Sequence, residues 1–562
     1  ARPGQARRWR LGAGPGAALG AALAFASPAF AQLAVPGGEV RLDAGRGEGS
    51  AGGSTFSAPA LDDIGLFDTP LARAGAWPSG PGSGGTAAGP GRAWAIEPSL
   101  GLTLTGTDNV RNTARDRRAD GYLSLSPSIV AYGDTGRFQG RLTYTPSLRL
   151  HAEDTRSNRV DHRFFGSGQA TLVEDLLYLD LFGNGSVSDV QGSAGNSAGI
   201  DGNRTVQTTV FQAAPYLVHR FGGDAVAQLG YSIRNVVQDG RSAFLPGSTT
   251  PYFKSEETTT QEVSATIRSG ENFGPLALQA HGTGTTYSGT SALAGAHRYT
   301  GGVEARYALT RWFAPLVELG YEDQRYGGTR PFAIQGLTWA VGARLTPGPD
   351  STILLRYGRH DGFESFNLNA SMLLGTRTWL SARYTDQIGT APQLAADLLS
   401  SARTDALGNL VDGYSGGRLV APFGSGILAA QSAITRNRRG TLGVTQTWER
   451  DRLSLNLVFD ERLPLSAARG TTAFAQKSLS LTFGWTRALD PETTGSAYAT
   501  IGRSQREGAS SSDFYTLRLR LNHMLTASLS GWAEYGFSYR GSDLSGGDTV
   551  QNLFIIGLRQ FF

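Results

Sequence analysis

The sequence predicts an all-β membrane fold: one antiparallel transmembrane β-barrel of the bacterial outer membrane, with about 22 strands within a range of roughly 18 to 24. Three observations predict it. From Trp94 onward the chain alternates apolar and polar residues in segments of about ten to fifteen, separated by turn residues. Past residue 31 no run reaches the ~18 apolar residues a membrane helix needs, and lipid then leaves a closed barrel as the spanning structure. The chain also closes on an alternating strand that ends in Phe562.

Composition agrees. Only 40% of the 562 residues are hydrophobic, yet the chain holds 26 Phe, 19 Tyr and 9 Trp against 2 Met. Its 76 glycines are about twice the usual share; such abundance weakens helices but suits curved strands. No cysteine is present, which excludes disulfides, thiolate metal sites and a catalytic Cys. The 51 Lys+Arg nearly balance 47 Asp+Glu, so no nucleic-acid partner is expected.

Taken in chain order, residues 1–31 read as a signal peptide. Arg7, Arg8 and Arg10 precede an apolar stretch from Leu11 to about Phe25, and Ala29 and Ala31 form an A-x-A cleavage site. Export by the Sec route and a periplasmic N-terminus are expected. Residues 32–92 are rich in Gly, Pro and Ser, as in Pro78-Ser79-Gly80-Pro81-Gly82. They read as a periplasmic linker or as a segment that folds back to plug the barrel. Residues 93–562 are the barrel.

Within the barrel, Phe138, Leu142, Tyr144, Leu148 and Leu150 share one strand face, and Gln139, Arg141, Thr143, Thr145, Arg149 and His151 the other. The pattern recurs at Leu453–Phe459, Leu479–Trp485, Leu517–Leu521 and Ala533–Tyr539. Short connections (Gly133–Gly136, Gly222–Asp224, Gly348–Asp350, Asp490–Glu492) alternate with long ones (Arg111–Asp120, Gly192–Asn203, Gly240–Glu257 and Ile388–Asn437). Short turns on one rim and long loops on the other are the asymmetry of outer-membrane barrels. Within the longest loop, Ala391–Leu399 reads as a short helix or a plain loop. A barrel of about 22 strands needs something to fill its lumen: residues 32–92, the 388–437 loop or a partner.

The wet faces supply the candidate lumen lining: Arg141, Arg149, Arg234, Arg306, Arg344, Arg356, Arg383, Arg518, Arg520, Arg540 and Arg559, with Asp180, Glu304, Glu318, Glu322, Asp460 and Glu534 as fewer carboxylates. An arginine-rich wall lowers the barrier for anions and can fork onto acidic sugars. Alternatively, Arg and Glu on neighbouring strands pair and brace the wall. The seven histidines form no metal motif, and Gly282-Thr283-Gly284 lies within a strand, so neither metal, cofactor nor catalytic residues are assigned.

In the last strand Phe554, Ile556, Leu558 and Phe562 share one face. This resembles the C-terminal signal read by the outer-membrane assembly machinery, although Gln560 stands where that signal is usually apolar. Trp94-Ala95-Ile96-Glu97-Pro98-Ser99, Thr107-Asp108-Asn109-Val110, Ser126-Pro127-Ser128, Tyr144-Thr145-Pro146 and Ala214-Pro215-Tyr216 together resemble a family of proteobacterial outer-membrane proteins described as β-barrel porins. Some of its members sit with exopolysaccharide and PEP-CTERM systems. The resemblance covers most of the barrel and implies its fold and location, with a link to polysaccharide; the family carries no catalytic residues. Expected partners are outer-membrane lipid and lipopolysaccharide, the assembly machinery, and polysaccharide or export-system proteins. The expected function is a solute channel. The rivals are a non-conducting structural or adhesive barrel and, behind it, a barrel hydrolase.

Overall fold

A computed structural model of the chain describes residues 93–190, 204–245, 247–290, 292–348, 351–390, 393, 402–404, 410–412, 428–509, 511–541 and 547–562. The signal peptide, the 32–92 segment, the Gly192–Asn203 loop and, apart from Gln393, the Ala391–Leu399 helix lie outside these residues.

The strands follow in chain order: β1 (Trp94–Thr107), β2 (Asp120–Asp134), β3 (Phe138–His151), β4 (Arg159–Val173), β5 (Leu177–Asp189), β6 (Thr205–Phe221), β7 (Ala225–Gly240), the short β8 (Ala243–Phe244) and β9 (Pro251–Phe253), β10 (Glu256–Ser269), β11 (Leu276–Gly289), β12 (His297–Tyr307) and β13 (Phe313–Tyr326). They continue as β14 (Phe332–Gly348), β15 (Ser351–His360), β16 (Phe363–Leu374), β17 (Thr378–Thr390), the short β18 (Ala402–Thr404) and β19 (Leu410–Asp412), β20 (Ala433–Thr447), β21 (Asp451–Ala467), β22 (Gln476–Ala488), β23 (Thr493–Arg506), β24 (Ser512–Met524), β25 (Leu529–Arg540) and β26 (Thr549–Phe561).

Apart from the two short pairs, β8–β9 and β18–β19, these form one 22-stranded antiparallel sheet. It closes where β1 meets β26, from Ser99 opposite Phe561 to Thr107 opposite Leu553. Closure leaves no unpaired edge, which is what the interior of a bilayer demands of a sheet. The even strand number puts both ends of the barrel on the rim with short turns, which is periplasmic in such barrels.

The two faces differ as the alternation predicts. Leu100, Leu102, Leu104, Leu142, Leu148, Leu455, Leu479, Leu519, Phe554 and Ile556 are exposed although apolar. Their neighbours, such as Ser99, Thr105, Ser124, Ser147, Asn456, Ser478 and Ser480, are buried although polar. That is a core turned inside out, with lipid as the solvent of the apolar face. Exposed Trp94, Phe138, Phe221, Phe273, Trp312 and Phe562 mark the short-turn rim, where amphipathic and aromatic rings settle at a membrane boundary.

Two connections differ from the sequence expectation. The loop expected over Ile388–Asn437 is shorter, because Ile388–Thr390 complete β17 and Ala433–Asn437 begin β20, paired from Thr390 opposite Ile434. On the long-loop rim, β15 and β16 are joined by only Asp361 and Gly362. Both have left-handed φ, 52° and 74°, the geometry for which Asp-Gly is suited in a two-residue hairpin.

Candidate functional site

The inward face is polar and rich in arginine. Register places Arg141 and Arg149 on β3, Arg234 on β7, Arg306 on β12, Arg344 on β14, Arg356 on β15, Arg383 on β17, Arg518 and Arg520 on β24, Arg540 on β25 and Arg559 on β26, all opposite the exposed apolar face of their strand. Asp180, Glu304, Glu318, Glu322, Asp460 and Glu534 share that face. Among the described residues, inward arginines outnumber inward carboxylates.

Many of these groups pair. Glu304 accepts from Arg306 at 2.8 Å, on its own strand, and from Arg356 at 2.7 Å, three strands away. Arg149 lies 3.1 Å from Asp161, which also accepts from Arg159 at 2.9 Å. Glu534 accepts from Arg518 at 2.9 Å and lies 3.9 Å from Arg520, which donates to Asn522. Asp460 is 3.5 Å from Arg439, His281 is 3.6 Å from Glu318, and Asp180 accepts from Gln169 at 3.0 Å. Arg234 donates to Gln212 at 3.1 Å, and the Arg141 guanidinium sits 5.5 Å from the centre of the Tyr132 ring. Arg559 makes no ion pair among the described residues; it lies across from Gly101, where a Cβ would be 3.6 Å from its Nε. No group of three or more His, Asp or Glu among the described residues is placed to hold a metal ion.

The long-loop mouth is crossed by part of the 388–437 loop, one of the three candidates the sequence offered to fill the lumen, and we call this crossing the roof. Residues 428–432, just before β20, reach the far side of the ring, where Ala430 N–H donates to the Val190 carbonyl at the end of β5 at 2.9 Å. Ser432 N–H donates to Tyr252 at 3.0 Å, Ala468 N–H to Ser432 at 2.8 Å, and Thr472 N–H to Pro251 at 2.9 Å. Two glutamines fix the crossing segment by bonding backbone in both directions. Gln476 donates to the Ala429 carbonyl at 2.8 Å and accepts its N–H at 3.1 Å, and Gln431 does the same with Phe474 at 3.1 and 2.9 Å. Val190, Val206, Tyr252, Phe253, Ala429, Ala430 and Phe474 pack into one apolar cluster here. A second contains Tyr287, Leu293, Tyr326, Ile388 and Ile434. The register shift between Ile434 and Thr435 lies where β20 enters that second cluster, consistent with a bulge bending a strand.

Beside the second cluster lies a buried ionic latch. Arg298 donates to Asp361 at 2.8 Å, and Gln324 donates to Asp361 at 2.8 Å and to Glu322 at 2.9 Å. Glu322 in turn accepts the N–H groups of Asp361 and Gly362 at 2.8 and 2.9 Å, and Ile388 N–H donates to Asp361 at 3.2 Å. Burial would raise the Asp361 pKa, but Arg298 and His360 outweigh it and hold the carboxyl well below the usual range. The Asp361-Gly362 dipeptide was the signal that could have revealed this turn.

The fold and its two faces define the class: the chain is an outer-membrane β-barrel. No known protein family and no curated protein matches the sequence. The siderophore receptor PiuA from Acinetobacter baumannii is similar at 10% identity, over 83% of this chain and 82% of that one, with a TM-score of 0.45. The closed form of the ferric-catecholate import receptor Fiu from E. coli K12 gives 10% identity, 84% and 82% coverage and 0.46. The copper transporter OprC gives 11%, 84% and 81%, and 0.41. Likeness at this level adds nothing to what the strand pairing itself establishes.

Proposed function

We propose that this barrel is a channel that passes solutes across the outer membrane, with an arginine-biased lumen suited to an anionic polysaccharide during exopolysaccharide export. The observation that carries this reading is the excess of inward arginine over inward carboxylate, including Arg559, which stands outside the ion pairs described. A fixed positive field inside a low-dielectric wall favours anion entry. The polysaccharide connection is what the resemblance of the short motifs to the porin family implies. Residues 32–92 are a candidate plug on the periplasmic side, and Phe554, Ile556, Leu558 and Phe562 serve as the assembly signal. The residues named as lumen lining act both as braces and as the source of selectivity.

The roof favours a second reading, a barrel that conducts nothing and presents its loops. Planar-bilayer conductance of the purified protein across a salt gradient decides between them. Discrete steps with an anion-leaning reversal potential support the channel. A folded barrel that stays silent, even after its roof bonds are removed, supports the structural reading.

A further inference from the structure

Directly beneath the roof, four strands present one row of buried polar side chains. Ser186 on β5 pairs in register with Thr208 on β6, Thr208 with Gln238 on β7, and Gln238 with Glu256 on β10. Their relative exposures are 7%, 0%, 1% and 6%. Among the described residues, the Ser186 Oγ, the Thr208 Oγ1, both amide atoms of Gln238 and the Glu256 Oε1 meet no hydrogen-bonding group. Asn184, one step below Ser186 on the same face, adds an unmatched Oδ1. Buried polar groups in native proteins are nearly always satisfied, and leaving one unmade is costly. Five neighbours in this condition, on adjoining strands, leave hydrogen-bonding capacity for a partner other than the described residues.

The chemistry of the row restricts what that is. Gln238 needs an acceptor for its amide N–H2 and a donor for its carbonyl, the hydroxyls can do either, and the Glu256 carboxyl accepts and, when protonated, also donates. A cation would satisfy the oxygens and leave the Gln238 Nε2 without an acceptor. An anion offers only acceptors and would leave the Gln238 Oε1 without a donor. A hydroxyl-rich neutral solute donates and accepts from each group and matches all of them. With neighbouring strands ~4.8 Å apart, four strands span roughly 14 Å, the scale of a short oligosaccharide rather than an ion. The layer above is apolar and aromatic. Val206 stands two residues above Thr208, and the Phe253 ring lies against Gly240, two residues above Gln238, where a Cβ would come within 3.3 Å of it. A ring face over a hydroxyl-binding wall suits the C–H face of a sugar.

We propose that the Ser186–Thr208–Gln238–Glu256 row binds a neutral segment of a carbohydrate, and that the roof formed by Phe253, Tyr252, Ala430 and Phe474 closes over it. The site rests on the reading of the barrel as a handler of solutes, but binding and conduction are measured separately.

The test is calorimetric titration and thermal unfolding of the full-length protein in detergent, with maltotriose as the neutral probe and trigalacturonate as the acidic one. Maltotriose is expected to bind and to raise the unfolding temperature. Gln238→Leu and Thr208→Val, which remove buried groups without partners, are expected to unfold no earlier than wild type while weakening maltotriose binding by roughly tenfold or more. Failure of maltotriose to bind wild-type protein overturns the site, as does preferential binding of trigalacturonate or unchanged affinity in both variants. Because the wild-type titration needs no variant, misfolding of either variant cannot hide that result. Maltotriose binding by a silent barrel sinks the channel and keeps the site; conduction without binding does the reverse.

Discussion

At the scale of single residues, alternation decides which side of the barrel a side chain meets, and that much was written in the sequence. Leu519 is 44% exposed on the outer face of β24, while its neighbours Arg518 and Arg520 point inward. Leu519→Arg, near the middle of its strand, is therefore expected to cost about 2–4 kcal/mol, read from urea unfolding in micelles; a cost near zero would place that position outside the lipid belt. Asp361 is different, because its partners could not be read from spacing. Arg298 is on β12 and Glu322 on β13, and they meet the β15–β16 turn only once the sheet has curled. Removing one member of a buried charge pair costs about 3–5 kcal/mol, so Asp361→Ala should destabilise by that order, and Asp361→Asn by less because its amide oxygen still accepts from Arg298. The folded pKa of Asp361 is lowered. Its contribution is therefore complete above the unfolded value of about 4 and is lost as the pH falls from there through the folded value. Wild type should lose stability across that acid window more steeply than Asp361→Ala, and parallel profiles would remove Asp361 from the latch.

Among elements, strands were far more legible than the segments joining them. Each strand repeats a two-residue period over a dozen or so positions, so composition errors average out, whereas a loop has no period. The roof depends on such a segment. Residues 428–432 are Leu-Ala-Ala-Gln-Ser, and nothing in that string announces that Ala430 will bond Val190 across the ring. Ala430→Pro deletes that donor and leaves the Val190 carbonyl without it. Single-channel recording should show longer or larger openings than wild type, and an unaltered record would mean that this bond does not hold the mouth shut. The last strand, with its proposed assembly signal, tests the opposite case, in which a residue's weight lies outside packing. Phe562 is 76% exposed, though its N–H donates to Pro98 at 3.1 Å, and Gln560 turns its amide to Ser528 at 3.0 Å on the rim. An exposed terminal ring contributes little packing, so Phe562→Ala should leave the unfolding midpoint of assembled protein nearly unchanged while lowering the amount reaching the outer membrane. A fall in stability equal to the fall in yield would reduce the signal to ordinary packing.

For the whole molecule, the question is whether the inward arginines hold the wall together or set a field for the solute. The sequence made both readings available because it places side chains on a face without saying which strands stand side by side. Glu304 shows the limit, since its partner Arg356 is three strands distant. Ion pairing separates the residues whose substitution tests each role. Arg518 bonds Glu534, so Arg518→Gln strips a buried carboxylate of its main partner and should act mostly on stability. Arg559 lacks an ion pair among the described residues, so Arg559→Gln removes charge from the lumen without stranding a partner. In a channel opened by Ala430→Pro, Arg559→Gln should move the reversal potential toward cations with little change in unfolding. The shift should shrink as salt rises, because screening shortens the field to ~10 Å at 0.1 M and less above. If Arg518→Gln destabilises and Arg559→Gln leaves the reversal potential where it was, the arginines are braces alone, and selectivity would have to come from the mouth that the roof covers.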